Sequence, residues 1–150
     1  MNVEIKKLGT HDILQFQELI RVFETVFEME HFNMPDKNYL QQLLGKESFF
    51  VFVASVNGNI IGGLTSYTLQ QYYSKSPLVY IYDLAVKHEF QRQGIGKLLM
   101  SAITNYCKEI GIEELFVQAD KEDQHAIDFY RSTGGIAEKV VHFNYPLNIR

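Results

Sequence analysis

The stretch from Val79 to Gly96, VYIYDLAVKHEFQRQGIG, constrains this chain more than any other. An apolar run rich in β-branched and aromatic residues ends at Val86. A short polar connection then delivers Gln91, Arg92, Gln93, Gly94, Ile95 and Gly96 to the start of a strongly periodic helix. A strand that feeds a glycine-bearing helix start is an anion-binding arrangement. The glycines let a ligand approach the backbone, Arg92 adds a fixed positive charge, and the unpaired N–H groups of the first helical turn point at whatever sits there. Phosphate is the group this pattern selects.

The rest of the chain supplies the frame. Val3 to Leu8 alternates apolar and charged residues, as a half-buried strand does. Ile13, Phe16, Ile20, Phe23 and Phe27 then recur at helical spacing, with Asp12 or Thr10 as the N-cap. A second helix is expected from Pro35 and Asp36, with Gly45 as a left-handed stop. Between them, residues 28–34 have no period and read either as a substrate-facing loop or as a plain surface connection. Ser48 to Val56, the turn pair Asn57-Gly58, and Asn59 to Leu69 form a hairpin, and Gly62-Gly63 marks a bulge or a close approach. Gln70 to Pro77 reads as a polar connection. After the helix from Gly94 to Gly111 come a strand at Glu113 to Ala119, a helix at Asp123 to Ser132, and a final alternating strand at Ile136 to Tyr145. One crossover helix separates the strands beginning at Val79 and Glu113, so they are expected to be parallel, in a mixed sheet with helices on its faces. In such sheets ligands bind beyond the carboxyl ends of parallel strands, here beside Val86 to Gly96.

No linker, repeat or low-complexity tract divides the 150 residues, so they read as one domain. No apolar run approaches the ~20 residues of a membrane span, and the N-terminus lacks the apolar core of a signal peptide, so a cytoplasmic protein is expected. A net charge of -4 argues against nucleic acid and leans towards a cationic guest. The single cysteine, Cys107, excludes an internal disulfide and shares a helix face with Ala102, Ile103, Tyr106 and Ile110, which marks it as a buried structural thiol. The histidines show no ligand spacing, and no metal is expected.

The loop lacks the G-K-[ST] ending of a P-loop, because Gly96-Lys97 is followed by Leu98, and it lacks G-x-G-x-x-G. Gln91-Arg92-Gln93-Gly94-Ile95-Gly96 instead resembles the Q/R-x-x-G-x-G/A loop of the GNAT superfamily of N-acetyltransferases. Downstream, Asp123 to Gly134 resembles that family's N-x-x-A-x-x-x-Y-x-x-x-G helix, with Asp123 in place of asparagine, and Gly135 stands where an aromatic residue is usual. Within the superfamily the chain is most similar to aminoglycoside 3-N-acetyltransferases, through Tyr80 to Val86, Arg92 to Ile95, Phe116 to Asp120 and Val141 to Phe143.

The resemblance implies a mixed, mostly antiparallel α/β sheet of about six to seven strands flanked by four helices, with acetyl-CoA as cosubstrate. It implies that the amides of Leu84, Ala85 and Val86 polarise the thioester and line pantetheine. Gln91, Arg92, Gln93, Gly94, Ile95 and Gly96 would hold the pyrophosphate, with Asp123 and Ala126 on the cofactor side of the later helix. Tyr130 becomes the general acid, since a phenol with a pKa of ~10 stays protonated at neutral pH; the alternative is a core aromatic beside Ala126 and Ile127. Asp83 interrupts an apolar strand, where an unpaired carboxylate costs on the order of several kcal/mol. It is expected either to bind the acceptor amine and take its proton or to sit in an ion pair. Asp120, Glu122 and His142 are the further acceptor-site candidates, with solvent exposure or local hydrogen bonding as the alternative for His142. The expected activity is transfer of an acetyl group to a small cationic amine of the aminoglycoside kind. The alternatives are a peptide, protein or other metabolite acceptor, or a non-catalytic acyl-CoA-binding module. Exposed edge strands and the terminal strand are compatible with a homodimer.

Overall fold

The computed structural model describes residues 1–148. They form two compact units, one from Met1 to Gln118 and a second from Ala119 onward. In the first, β1 (Val3–Lys7) leads into helices α1 (Ile13–Val26) and α2 (Lys37–Leu44). The hairpin β2 (Phe49–Val56) and β3 (Asn59–Leu69) follows, then β4 (Leu78–Val86), a single 3-10 turn (His88–Phe90), α3 (Ile95–Glu109) and β5 (Glu114–Val117). The five strands lie in the order β1-β2-β3-β4-β5. All neighbours are antiparallel except β4 and β5, which are parallel as the crossover helix between them demands. No helix among the described residues is long and apolar enough to cross a membrane.

The two faces of the sheet carry separate cores. Under α1 and α2 lie Phe16, Leu19, Phe23, Leu40, Phe49, Val51, Val53 and Ala85. Under α3 lie Phe50, Phe52, Leu64, Val79, Ile81, Val86, Leu99 and Ile103. The division follows strand parity: alternate residues of β2 go to alternate faces. Asn57 and Gly58 take φ of 51° and 79°, the paired positive angles that a two-residue hairpin turn requires. Gly63 is a true close approach, since a Cβ there would lie 2.6 Å from the Phe52 carbonyl oxygen and 2.7 Å from Leu19 Cδ1. Cys107 is 4% exposed in the α3 core, as its helix face predicts.

Three expectations change. Gly45 ends α2 in a right-handed conformation, φ -82°, rather than as a left-handed stop. Residues 136–145 form no strand ladder, although the sequence alternates as a strand does. The described sheet therefore has five strands rather than six to seven, while the four helices agree. A strand is a paired object, and alternation alone cannot supply the partner.

In the second unit, α4 (Gln124–Ser132) is capped at both ends. Asp123 accepts from the Ala126 N–H at 3.1 Å. At the other end Gly134, with φ 99°, and Gly135 return their N–H groups to the carbonyls of Arg131 and Tyr130. This is a Schellman closure, and it accounts for a glycine at 135, where a Cβ would lie 2.9 Å from the Tyr130 carbonyl oxygen.

Candidate active site

A one-residue bulge in β4 builds the site. Ile81 pairs with Ser66 and Asp83 with Thr65, so Tyr82 has no cross-strand partner. Without the bulge, Asp83 would share parity with Val79 and Ile81 and point into the α3 core. With it, Asp83 joins Thr65 and Tyr67 on the opposite face, and Leu84, paired with Leu64, returns to the α3 side. The run read from sequence as a buried strand is thus opened at its middle, where Tyr82 is 58% exposed.

Asp83 is half-buried, and partial desolvation pushes its carboxyl above the ordinary value of 3.8. It has no hydrogen bond or ion pair among the described residues. The two ion pairs found there are Lys6 with Asp12 and Arg21 with Glu24. No buried side-chain oxygen among the described residues lacks a partner, so the Asp83 oxygens reach solvent.

Beyond the bulge, β4 and β5 part. Their ladder ends at Ile81 with Val117, so Asp83 to Val86 are paired on the β3 side only. The strand then runs directly into the glycine loop. The Gln91 side chain donates to the Val86 carbonyl at 2.9 Å, and Gln93 donates to the Glu89 carbonyl at 3.3 Å, so both amides shape the loop itself. Arg92 takes φ 60° and Gly94 φ 82°. Two successive departures of this kind turn the chain so that the amides of Ile95, Gly96 and Lys97 open the helix without an acceptor among the described residues. Arg92 is exposed beside them. These residues fit a diphosphate: free N–H donors, a helix N-terminus and a guanidinium in one loop.

Sequence reasoning missed a row of aromatic rings on the Asp83 face. Phe49 and Tyr67 lie 5.1 Å apart, Tyr67 and Tyr82 5.7 Å, Tyr82 and Tyr80 5.8 Å, and Tyr80 stacks on Phe116 at 4.8 Å. The row crosses four strands. The only sequence signal was the i, i+2 pair Tyr80 and Tyr82, and it could not reveal ring partners from β2, β3 and β5. Burial, followed by the nearby Tyr82 and Asp83, holds the Tyr80 phenol above its usual value; Tyr67 is raised by burial, with Tyr82, Tyr39 and Asp83 adding to it.

The second unit carries the remaining candidates. Tyr130 lies on α4, with its ring 5.2 Å from Phe129. The Asp123 carboxylate is engaged as the α4 cap, beginning next to Ala126. Asp120 and Glu122 are exposed just before it. His142 is exposed and meets the Asn144 side chain at 3.0 Å, in line with the locally hydrogen-bonded alternative.

Against known proteins, the profile of the acetyltransferase (GNAT) family matches residues 14–134. An aminoglycoside acetyltransferase from an uncultured soil metagenomic sample, solved in complex with trehalose and with sisomicin, is 54% identical. The match covers 97% of each chain with a TM-score of 0.95. The N-alpha-acetyltransferase of Sulfurisphaera tokodaii is 27% identical over 120 residues, covering 75% of this chain and 71% of the relative. The aminoglycoside N(6')-acetyltransferase type 1 of Stenotrophomonas maltophilia is 25% identical over 117 residues, covering 75% and 76%.

Proposed function

Because the chain belongs to the acetyltransferase (GNAT) family, we propose that it acetylates a primary amine of a small, cationic, aminoglycoside-like acceptor, using acetyl-CoA in a ternary complex. The observation that carries this reading is Asp83: a carboxylate turned by a bulge onto an open sheet face, without a cation among the described residues, immediately before the amides where β4 leaves β5. The soil relative's complex with sisomicin supports an acceptor of this kind.

Acetyl-CoA supplies the activated acetyl group, and coenzyme A leaves as the thiol. In this reading, the loop from Gln91 to Gly96 and the Arg92 charge hold the pyrophosphate, and Asp123 and Ala126 are the cofactor-binding residues of the second unit. The N–H groups of Leu84, Ala85 and Val86 polarise the carbonyl that is attacked. Asp83 holds the acceptor ammonium group and takes its proton before attack; its raised pKa brings it closer to the amine's and eases that transfer. Tyr130 gives a proton to the departing sulfur. Asp120, Glu122 and His142 add polar contacts to the acceptor.

We further propose that residues 1–150 act as one domain, since the family profile runs through both compact units. A cytoplasmic location and a homodimer complete the reading. The dimer is supported by Val141, Phe143 and Tyr145, which alternate along the chain and are 76%, 73% and 83% exposed.

A thiol-release assay across aminoglycosides, polyamines and peptides tests the function, with NMR of the product giving the acetylated nitrogen. Turnover on aminoglycosides is expected. Turnover confined to peptides would favour the activity named for the Sulfurisphaera relative, and acetyl-CoA binding without turnover would leave a binding module.

A further inference from the structure

The helix layer over the Asp83 face is incomplete. The core beneath α1 and α2 takes in Phe49 and Ala85, but it does not take in Tyr67, Tyr80 or Tyr82. At the centre of this aromatic strip stands Tyr82, the bulged residue, with its ring at 85° to Tyr67 and 77° to Tyr80. Edge-on contacts from both sides hold the ring in place while leaving it 58% exposed. The next residue is Asp83, on the same face and without a cation among the described residues. A rigid aromatic face beside an open carboxylate therefore comes from two consecutive residues.

Resting on the amine-acetylating reading above, we propose that Tyr82 is the platform on which a saturated ring of the acceptor stacks while Asp83 takes the ring's ammonium group. The site thereby selects amines borne on rigid rings, such as amino sugars and aminocyclitols, over amines on flexible chains. The ring of an amino sugar presents a flat face of C–H bonds, which matches an aromatic face in shape and in polarity. Its adjacent ammonium group gains from the ring quadrupole as well as from the carboxylate. A flexible polyamine offers no such face and loses more rotamer freedom on binding. The Tyr80 hydroxyl, which donates to Gln118 Oε1 at 3.0 Å, adds a polar group on the ring next to Tyr82.

The test compares wild type, Tyr82→Ala and Tyr82→Phe with gentamicin and with spermidine, by steady-state kinetics and by calorimetric binding. For Tyr82→Ala the gentamicin KM rises about 10-fold or more while kcat stays within about 2-fold, and the spermidine KM moves less than about 2-fold. Tyr82→Phe keeps the aromatic face and retains wild-type values, and the retained kcat and spermidine KM of Tyr82→Ala exclude a folding defect as the cause. An unchanged gentamicin KM in Tyr82→Ala, or an equal rise for both amines, overturns the proposal. If wild type acetylates neither amine, the enzymatic reading fails separately, and calorimetry decides the platform. Gentamicin binding that is lost in Tyr82→Ala supports it; binding that is absent or unaffected overturns it.

Discussion

At Asp83 the sign of the pKa shift sets two opposite pH effects. Partial desolvation raises its folded value above 3.8, so kcat/KM should climb with pH along an acid limb displaced upward from the ordinary carboxylate range. Asp83→Asn should remove that limb and lower kcat/KM by roughly 10²–10⁴-fold, read from a pH-rate profile. Stability runs the other way. A raised folded pKa contributes stability fully present below the unfolded value and lost as pH rises through the folded one, so Asp83→Asn should melt no lower than wild type at neutral pH. Asp12 is the contrary case. Its carboxylate accepts from Gly9 N–H at 2.7 Å and pairs with Lys6 at 2.9 Å, which hold it below the ordinary value. Its contribution is present above the unfolded pKa and lost as pH falls through the folded one. Asp12→Asn should therefore flatten the acid side of a melting-temperature profile. Cys107, buried and pushed up to about 11, should resist thiol reagents in the native protein, so a coloured thiol reagent reads released coenzyme A without a background from the chain.

At the level of elements, the helix and hairpin boundaries were legible because their causes are local. Asp36 caps α2 by accepting from Tyr39 N–H, and Asp123 caps α4 in the same way. Gly62 and Gly63 were marked as a bulge or a close approach: the β2–β3 register shifts beside Gly62, and the pairing with β4 makes both close approaches. They face Val86 and Ala85 on β4, where a side chain would strike the Ala85 carbonyl from Gly62 and Leu19 from Gly63. Gly63→Ala should destabilise by about 1–3 kcal/mol, measured by denaturant unfolding. The strand expected at 136–145 marks the limit of such reading. Its alternation is present, but a ladder depends on a neighbour that no local pattern names. The bulge at Tyr82 was equally hidden, since it consists of a count of residues on β4 against a count on β3, some twenty positions earlier.

For the whole molecule, the apolar alternation after Gly135 carries the proposed dimer. Wild type should sediment as a dimer, and Val141→Asp with Phe143→Asp should sediment as a monomer; a monomeric wild type would refute that part of the reading. By itself the sequence determined what depends on near neighbours along the chain: the strand, loop and helix from Val79 to Glu109, the hairpin turn at Asn57-Gly58, the caps, and the family these segments resemble. Tertiary structure alone decided which face Asp83 occupies, that it has no ion pair among the described residues, and that rings from Phe49 to Phe116 gather beside it. The physical reason is that a strand's parity and a ring's neighbours are set by register with other strands. A single unpaired residue, Tyr82, reverses them both.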